Sequence, residues 1–187
     1  MKSKVLLILL LLLVPLVFWG QNKKEIKKYR IKAITEVTTD NTGAEAQSFK
    51  KYNRFDNAGN IIEHIEYDRN GKTTKKESFK ANKHDDVVEH VIYNPDGSIK
   101  RKIIKKYNSN NDKIEELITD PEGKQIEKRT ITYNLNGEKI LELNFDFNYT
   151  ITEKTVYIYN KFGMNAEKNI YDGKGNLISK KNYVYEY

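Results

Sequence analysis

Tyr67-Asp68-Arg69-Asn70-Gly71 and Tyr133-Asn134-Leu135-Asn136-Gly137 are two copies of one five-residue phrase, and its reading decides the fold. The phrase is an anchor, then Asp or Asn, then two free positions, then Gly. Asp and Asn open turns because a short side-chain oxygen can accept the backbone N–H two residues on. Pro95 and Pro121 stand next in two copies, where a fixed φ suits a type I turn. Gly then supplies the left-handed residue of a three-residue hairpin loop with a bulge. Each copy is therefore a hairpin turn, and its anchor marks the end of a strand.

Working outward, the anchors run Phe55, Tyr67, Phe79, Tyr93, Tyr107, Thr119, Tyr133, Phe145, Tyr159, Tyr171 and Tyr183. Gly59, Gly71, Gly97, Gly123, Gly137, Gly163 and Gly175 stand four residues after theirs, and Lys80 alone replaces the Asp or Asn. All spacings are 12 or 14, hence even. In this turn Asp68 pairs with Lys72 and Tyr67 with Thr73. Side chains alternate with period 2, so the even spacings send every anchor to one face of the sheet.

The remaining composition agrees with strands. After Gln21 the chain has 19 Ile and 5 Leu, a bias toward the pleated sheet. Two further strands are expected before the repeats, Tyr29–Val37 and Gln47–Arg54, joined through a loop at Asp40-Asn41-Thr42-Gly43. The expected fold class is all-β: an antiparallel up-and-down meander of about 12 short strands, preceded by an N-terminal signal helix. Ile65, Val91, Leu117, Ile131, Leu143 and Tyr157 stand two residues before their anchors. On the opposite face stand Glu66, Ser78, Lys106, Thr132 and Asn144, but also Ile92, Ile118, Ile158 and Ile170. Neither face is uniformly apolar, which suits a curled or partly single-layer sheet in which Tyr stems cover the backbone.

Residues 1–20 read as a signal peptide. Lys2 and Lys4 precede an uncharged run from Val5 to Trp19, which is short for a membrane span of about 20 residues. Gly20 suits the cleavage position, so the mature chain is expected to begin at Gln21 and to form a single β-repeat domain over 21–187, with units from about 52 onward. An uncleaved leader is the only expected membrane contact. There is no Cys, which excludes a lipoprotein anchor, a disulfide framework and Cys-ligated zinc.

Over residues 55–187 the array resembles the YD-repeat (RHS-type) proteins, whose units carry Tyr-Asp-x-x-Gly before an apolar strand. The best copies are Tyr171-Asp172-Gly173-Lys174-Gly175-Asn176-Leu177-Ile178 and Phe55-Asp56-Asn57-Ala58-Gly59-Asn60-Ile61-Ile62. The Arg that commonly follows Gly in that family is absent, with Asn60, Lys72, Ser98, Lys124, Glu138, Met164 and Asn176 in its place. The array is also too short for the toxin-enclosing shell of that family. The resemblance implies an exported β-repeat protein, not a toxin or a cage.

Candidates for catalysis are few. His64, His84 and His90 are the only imidazoles. His64 and His90 alternate with Glu63 and Glu89 and read as a solvated face. His84-Asp85-Asp86 sits in a degenerate turn and cannot converge on a metal without a special loop. Glu115 and Glu116 fall on opposite faces of one strand, poor partners for acid–base work. There is no Gly-x-Ser-x-Gly elbow and no twelfth-position Glu for an EF-hand. No enzyme activity, metal or cofactor is expected.

With 33 Lys+Arg against 26 Asp+Glu the chain is basic. Its Lys clusters read first as solubility and protection of sheet edges, and no nucleic-acid partner is expected. The leading expectation is a non-catalytic exported protein acting as a binding or structural module at the bacterial cell envelope: periplasm, outer surface or medium. The alternative is a polyanion- or glycan-binding protein whose ligand surface is Tyr93, Tyr107, Tyr133 and Tyr159 with Lys102, Lys105 and Lys106. Its partner would be an envelope glycan, lipopolysaccharide or another envelope protein.

Overall fold

The structure is a computed structural model and describes residues 18–40 and 47–186. The expected leader therefore lies outside the described residues up to position 17, as does the loop over 41–46. Helix α1 (Phe18–Tyr29) is followed by β1 (Ala33–Asp40), β2 (Gln47–Phe55), β3 (Ile61–Tyr67), β4 (Thr73–Ala81), β5 (Val87–Tyr93) and β6 (Ile99–Tyr107). Then come β7 (Lys113–Thr119), β8 (Gln125–Tyr133), β9 (Lys139–Phe145), β10 (Ile151–Tyr159), β11 (Asn165–Asp172) and β12 (Leu177–Asn182). The twelve strands form one antiparallel sheet in chain order. The all-β meander read from the turn phrase is the observed architecture.

The chain divides into two compact units, Met1–Lys75 and Lys76–Tyr187. In the first, the segment expected to begin a strand at Tyr29 is instead the end of α1. Arg30 N–H bonds Lys27 O and Ile31 N–H bonds Ile26 O (2.9 Å), with Arg30 at φ 52°. This is the paired closure of a Schellman cap. Good helix formers over Lys23–Lys28 carry the turn, and Ile26, 5 % exposed, anchors it. Lys23 Nζ donates to Asn60 Oδ1 at 2.7 Å, and Lys32 Nζ to Asn57 Oδ1. A Cβ at Gly59 would lie 3.0 Å from Lys23 O and 3.5 Å from Ile26 Cγ2, so only Gly lets the helix rest on this turn.

The ten described turns from Asp56 onward share one pair of bonds. In the second, Gly71 N–H donates to Asp68 O (3.0 Å) and Asp68 N–H to Lys72 O (2.9 Å). The Asp68 carboxylate also accepts from Asn70 N–H and Lys72 N–H, and Asn134, Asp146, Asn160 and Asp172 act alike. The glycines of the phrase have φ between 73° and 87°, as the three-residue loop requires. In the three turns without Gly the same place is held by Asp85, Asn111 and Tyr149, at φ 68°, 67° and 62°.

Two expectations about this array are corrected. The turn thought degenerate is regular but begins two residues later: Asn82 N–H bonds Asp86 O and Asp85 N–H bonds Asn82 O. Its anchor is Ala81, not Phe79, because the side chain opening the turn is Asn82. Anchor spacings then alternate 12 and 14 from Phe55 to Tyr171. The true period is 26 residues, made of one seven-residue and one nine-residue strand, as in β5 and β6 or β7 and β8.

The second correction concerns the faces. Each anchor pairs with the residue six on, as expected: Tyr93 with Ile99, Tyr107 with Lys113, Tyr133 with Lys139. One position further in, the pairing slips, since Ile92 faces Arg101 and Lys106 faces Glu115. This second bulge puts one extra residue in the strand that leaves the turn, Lys100 in β6 and Ile114 in β7, and a one-residue slip exchanges the two faces. Following the register through the second unit, Tyr107, Tyr133 and Tyr159 share one face, while Tyr93 and Tyr171 lie on the other. These five tyrosines of the second unit therefore do not form one stripe.

Both faces are thinly covered. In the second unit Val91 and Ile131 are buried, with Thr119, Thr155 and Asn169. Most other strand residues there are half-buried whichever way they point. The sheet is held by its ladder and by long side chains lying across it more than by a thick core.

Candidate functional site

The most regular side-chain feature lies along the edge where the nine-residue strands end. Tyr107 Oη donates to Val87 O at 3.0 Å, Tyr133 Oη to Lys113 O at 3.1 Å and Tyr159 Oη to Lys139 O at 2.8 Å. Beyond the last strand, Tyr185 Oη does the same to Asn165 O at 2.8 Å. Each bond spans 20 residues and ties one turn to the preceding turn on the same edge. Partial burial pushes the Tyr107, Tyr133 and Tyr159 hydroxyls above the usual tyrosine range, helped by Asp86, Asp112 and Glu138 respectively. These phenols are structural donors and stay protonated at neutral pH.

The same face carries a charged lattice with the same period. Lys113 Nζ meets Glu116 at 2.8 Å and Lys139 Nζ meets Glu142 at 2.9 Å, 26 residues apart. Arg129 bridges Glu142 at 3.2 Å and donates to Asn144 at 2.9 Å. The Tyr157 ring lies between Lys139 and Lys168, 4.5 and 5.5 Å from its centroid. On the opposite face Glu115 is held by both Lys106 (2.8 Å) and Lys128 (2.9 Å). Those two ammonium groups keep its carboxyl below the usual glutamate range.

The residues expected to form one ligand surface are divided between the faces. Tyr107, Tyr133, Tyr159 and Lys105 lie on one, Tyr93, Lys102 and Lys106 on the other. Each nominated lysine also has a glutamate beside it. Lys102 Nζ is 4.0 Å from Glu89, Lys106 is bonded to Glu115, and Lys105 is paired in register with Glu116. Tyr185 lies outside the 12- or 14-residue anchor series that ends at Tyr183; the 26-residue recurrence of Tyr107, Tyr133 and Tyr159 is the signal that finds it.

Glu115 and Glu116 do lie on opposite faces, as their adjacency implies. The histidines read as solvated are partly covered instead. His64 lies against Asn53 (2.7 Å) and Glu66 (3.0 Å). His90 stacks on Phe79 at 4.6 Å between centroids and approaches Glu77 to 3.5 Å. Among the described residues no group of three or more His, Asp or Glu is placed to hold a metal ion. No described helix is long and apolar enough to cross a membrane.

No protein-family model matches the chain, and no curated protein does. Among solved structures the chain is similar to the TcdB2-TccC3 complex, at 14 % identity over 79 % of this chain with a TM-score of 0.47. It is also similar to TcdB2-TccC3-Cdc42, at 13 % identity over 79 % of the chain and a TM-score of 0.46. The chain spans 10 % of the length of each. A porin-like protein from Bacteroides uniformis aligns at 9 % identity over 83 % of this chain and 97 % of its own, with a TM-score of 0.30.

Proposed function

We propose that this chain is a non-catalytic, exported β-repeat protein serving as a binding or structural module at the bacterial cell envelope. One observation carries the reading: the repeating polar groups are spent on the lattice itself. The phenols of Tyr107, Tyr133, Tyr159 and Tyr185 bond backbone carbonyls, and the carboxylates of Glu115, Glu116 and Glu142 bond lysines. Such an array is extended by adding 26-residue periods and presents turns and sheet faces rather than a convergent set of reacting groups. The uncharged run before Trp19 supports export.

Fractionation of the producing cell, with the intact mass of the recovered chain, tests this. Recovery outside the cytoplasm with Gln21 as the first residue is expected. Material retaining Met1 and confined to the cytoplasm would refute it. Passage over immobilised heparin or lipopolysaccharide is a second measurement, in which release at low salt is expected because Lys102, Lys105 and Lys106 each have a glutamate beside them. Retention that falls steeply only at high salt would favour the polyanion-binding alternative.

A further inference from the structure

We infer that the hollow between two neighbouring turns, residues 82–86 and 108–112, is an anion site for a phosphoryl group carried on a larger molecule. The Tyr107 hydroxyl ties these turns together through Val87 O at 3.0 Å. Between them lies a hollow of ≈ 640 Å³, lined by Lys83, His84, Lys105, Lys106, Ser109 and Asn111 among others and by no acid. That volume falls within the ~300–1,000 Å³ of small-molecule sites, so a charged group can bring a body with it.

The cations of this hollow are not spent as they are elsewhere. In the rest of the second unit Lys102, Lys113, Lys128, Lys139 and Lys180 each meet a glutamate. Here the neighbouring carboxylates are engaged by other groups. Asp86 accepts from Asn82 Nδ2 and Asp112 from Asn108 Nδ2, each at 3.1 Å, and Asp85 has a partner of its own. Glu115 holds Lys106 at 2.8 Å. Glu116, opposite Lys105 in register, holds Lys113 at 2.8 Å. The side chains of Lys83, His84 and Lys105 make no hydrogen bond or ion pair among the described residues.

The array departs from its own rule at the same place. Of the three turns without Gly, two border this hollow, with Asp85 and Asn111 at the positive-φ position. Asn111 thereby adds a side-chain amide where most turns have none. The slot two residues before the anchor is Phe79, Ile131 and Tyr157 in neighbouring periods but Lys105 here. A half-buried ammonium without an anion is costly to keep, and an anion in the hollow would offset that cost. A phosphoryl group fits the donors. It carries about −1.5 to −2 charge and three acceptor oxygens, against two ammonium groups, an imidazole, a hydroxyl and an amide. A carboxylate has half the charge and fewer acceptors for the same set. The inference rests on the binding half of the proposed function and needs no export.

Amide NMR of the full chain, titrated with inorganic phosphate and with glycerol phosphate at constant ionic strength, tests it. The Lys83, His84, Ser109 and Asn111 amides should shift together and saturate, with a constant on the order of 1 mM. Glycerol phosphate should bind more tightly than inorganic phosphate, and glycerol should be inert. Lys83→Gln and Lys105→Gln should each weaken binding roughly tenfold with the thermal transition unchanged. Lys161→Gln removes the same charge at the equivalent turn position, where Lys161 lies over the Phe162 ring, and should leave binding intact. Vesicles of phosphatidylcholine with phosphatidic acid separate the sources. Sedimentation of wild type but not Lys83→Gln with them assigns the group to a lipid headgroup, and its absence beside intact glycerol phosphate binding assigns it to a soluble monoester. Amides at 82–84 and 108–111 that stay fixed as phosphate rises overturn the inference. So does an equal loss from Lys161→Gln, which would make the effect one of net charge, or exclusion of glycerol phosphate. Such a failure leaves the fractionation result untouched, so the two readings fail separately.

Discussion

The two edges of the second unit carry the same turn phrase but use their anchors differently. Where nine-residue strands end, Tyr107, Tyr133 and Tyr159 project onto one face and each hydroxyl holds a carbonyl 20 residues back. Where seven-residue strands end, the anchors are Tyr93, Thr119, Phe145 and Tyr171, on the other face. Tyr93 bonds only the Ser78 hydroxyl (3.1 Å), and Tyr171 lies beneath Lys154 with its ring centroid 5.6 Å from Nζ. The second edge also takes Thr119 and Phe145 as anchors, neither of which carries a phenol. A repeated motif can thus specify one turn and two unlike packing roles, the role being set by strand length.

The largest test of that contrast is the triple variant Tyr107→Phe, Tyr133→Phe and Tyr159→Phe. Each change keeps the ring and leaves a half-buried carbonyl short of its donor, at about 1–1.5 kcal/mol apiece. The sites are linked, since Lys113 pairs with Tyr107 and accepts from Tyr133, and Lys139 pairs with Tyr133 and accepts from Tyr159. The changes should therefore not add strictly, and the combined loss in urea unfolding should be roughly 3 kcal/mol. A loss below about 1 kcal/mol would mean that water replaces the phenols and that the edges do not differ.

Next come the turns themselves. Gly137 is at φ 79° with open space around a built Cβ, so Gly137→Ala should cost about 1 kcal/mol purely from backbone strain. Tyr149 is the opposite case, a bulky residue at φ 62° and 67 % exposed. Tyr149→Gly should therefore stabilise the chain by about 0.5–1 kcal/mol. Thermal melts of the pair should move in opposite directions. Equal destabilisation by both would show that the exposed Tyr149 ring makes contacts that outweigh its strain.

Much of this was readable from Asp, Asn and Gly at fixed offsets, because turn chemistry is local: each phrase contains the groups that close it. Strand count, meander order and positive φ follow from that. Two things were hidden. The second bulge leaves no residue signature, since Lys113, Lys139 and Ile99 share only their distance from the anchor, and without it parity assigns the tyrosines to the wrong faces. The helix over Phe18–Tyr29 was hidden because, among its residues with described burial, 23–29, only Ile26 is buried, too little for an apolar stripe. The nominated ligand surface failed to assemble for the first reason.

Acid pH probes the side of the sheet without the phenol bonds. The Glu115 carboxyl is held low by Lys106 and Lys128. A depressed folded pKa adds stability above the unfolded value of about 4.3, and this is lost as pH falls through the folded value. Wild type should exceed Glu115→Gln by about 0.5 kcal/mol near neutrality, given the exposure of the lysines. The gap should start to close below pH ~4.5. A gap that persists unchanged at pH ~2 would assign the effect to packing rather than to charge.

The smallest effect belongs to Tyr171→Phe. Tyr171 is an anchor by every sequence criterion, within Tyr171-Asp172-Gly173-Lys174-Gly175, and its turn closes with Gly175 N–H on Asp172 O at 3.0 Å. Its ring sits on the face opposite Tyr159 and meets Lys154, a contact that Phe would keep in large part. The change should therefore fall within about 0.3 kcal/mol of wild type, against about 1–1.5 for Tyr159→Phe one strand away. The comparison is internal, since both substitutions remove one oxygen from one tyrosine beside the same kind of turn. If Tyr171→Phe costs as much as Tyr159→Phe, the hydroxyl matters wherever the phrase occurs. If it is silent while Tyr159→Phe is not, the 20-residue bond alone separates the two edges.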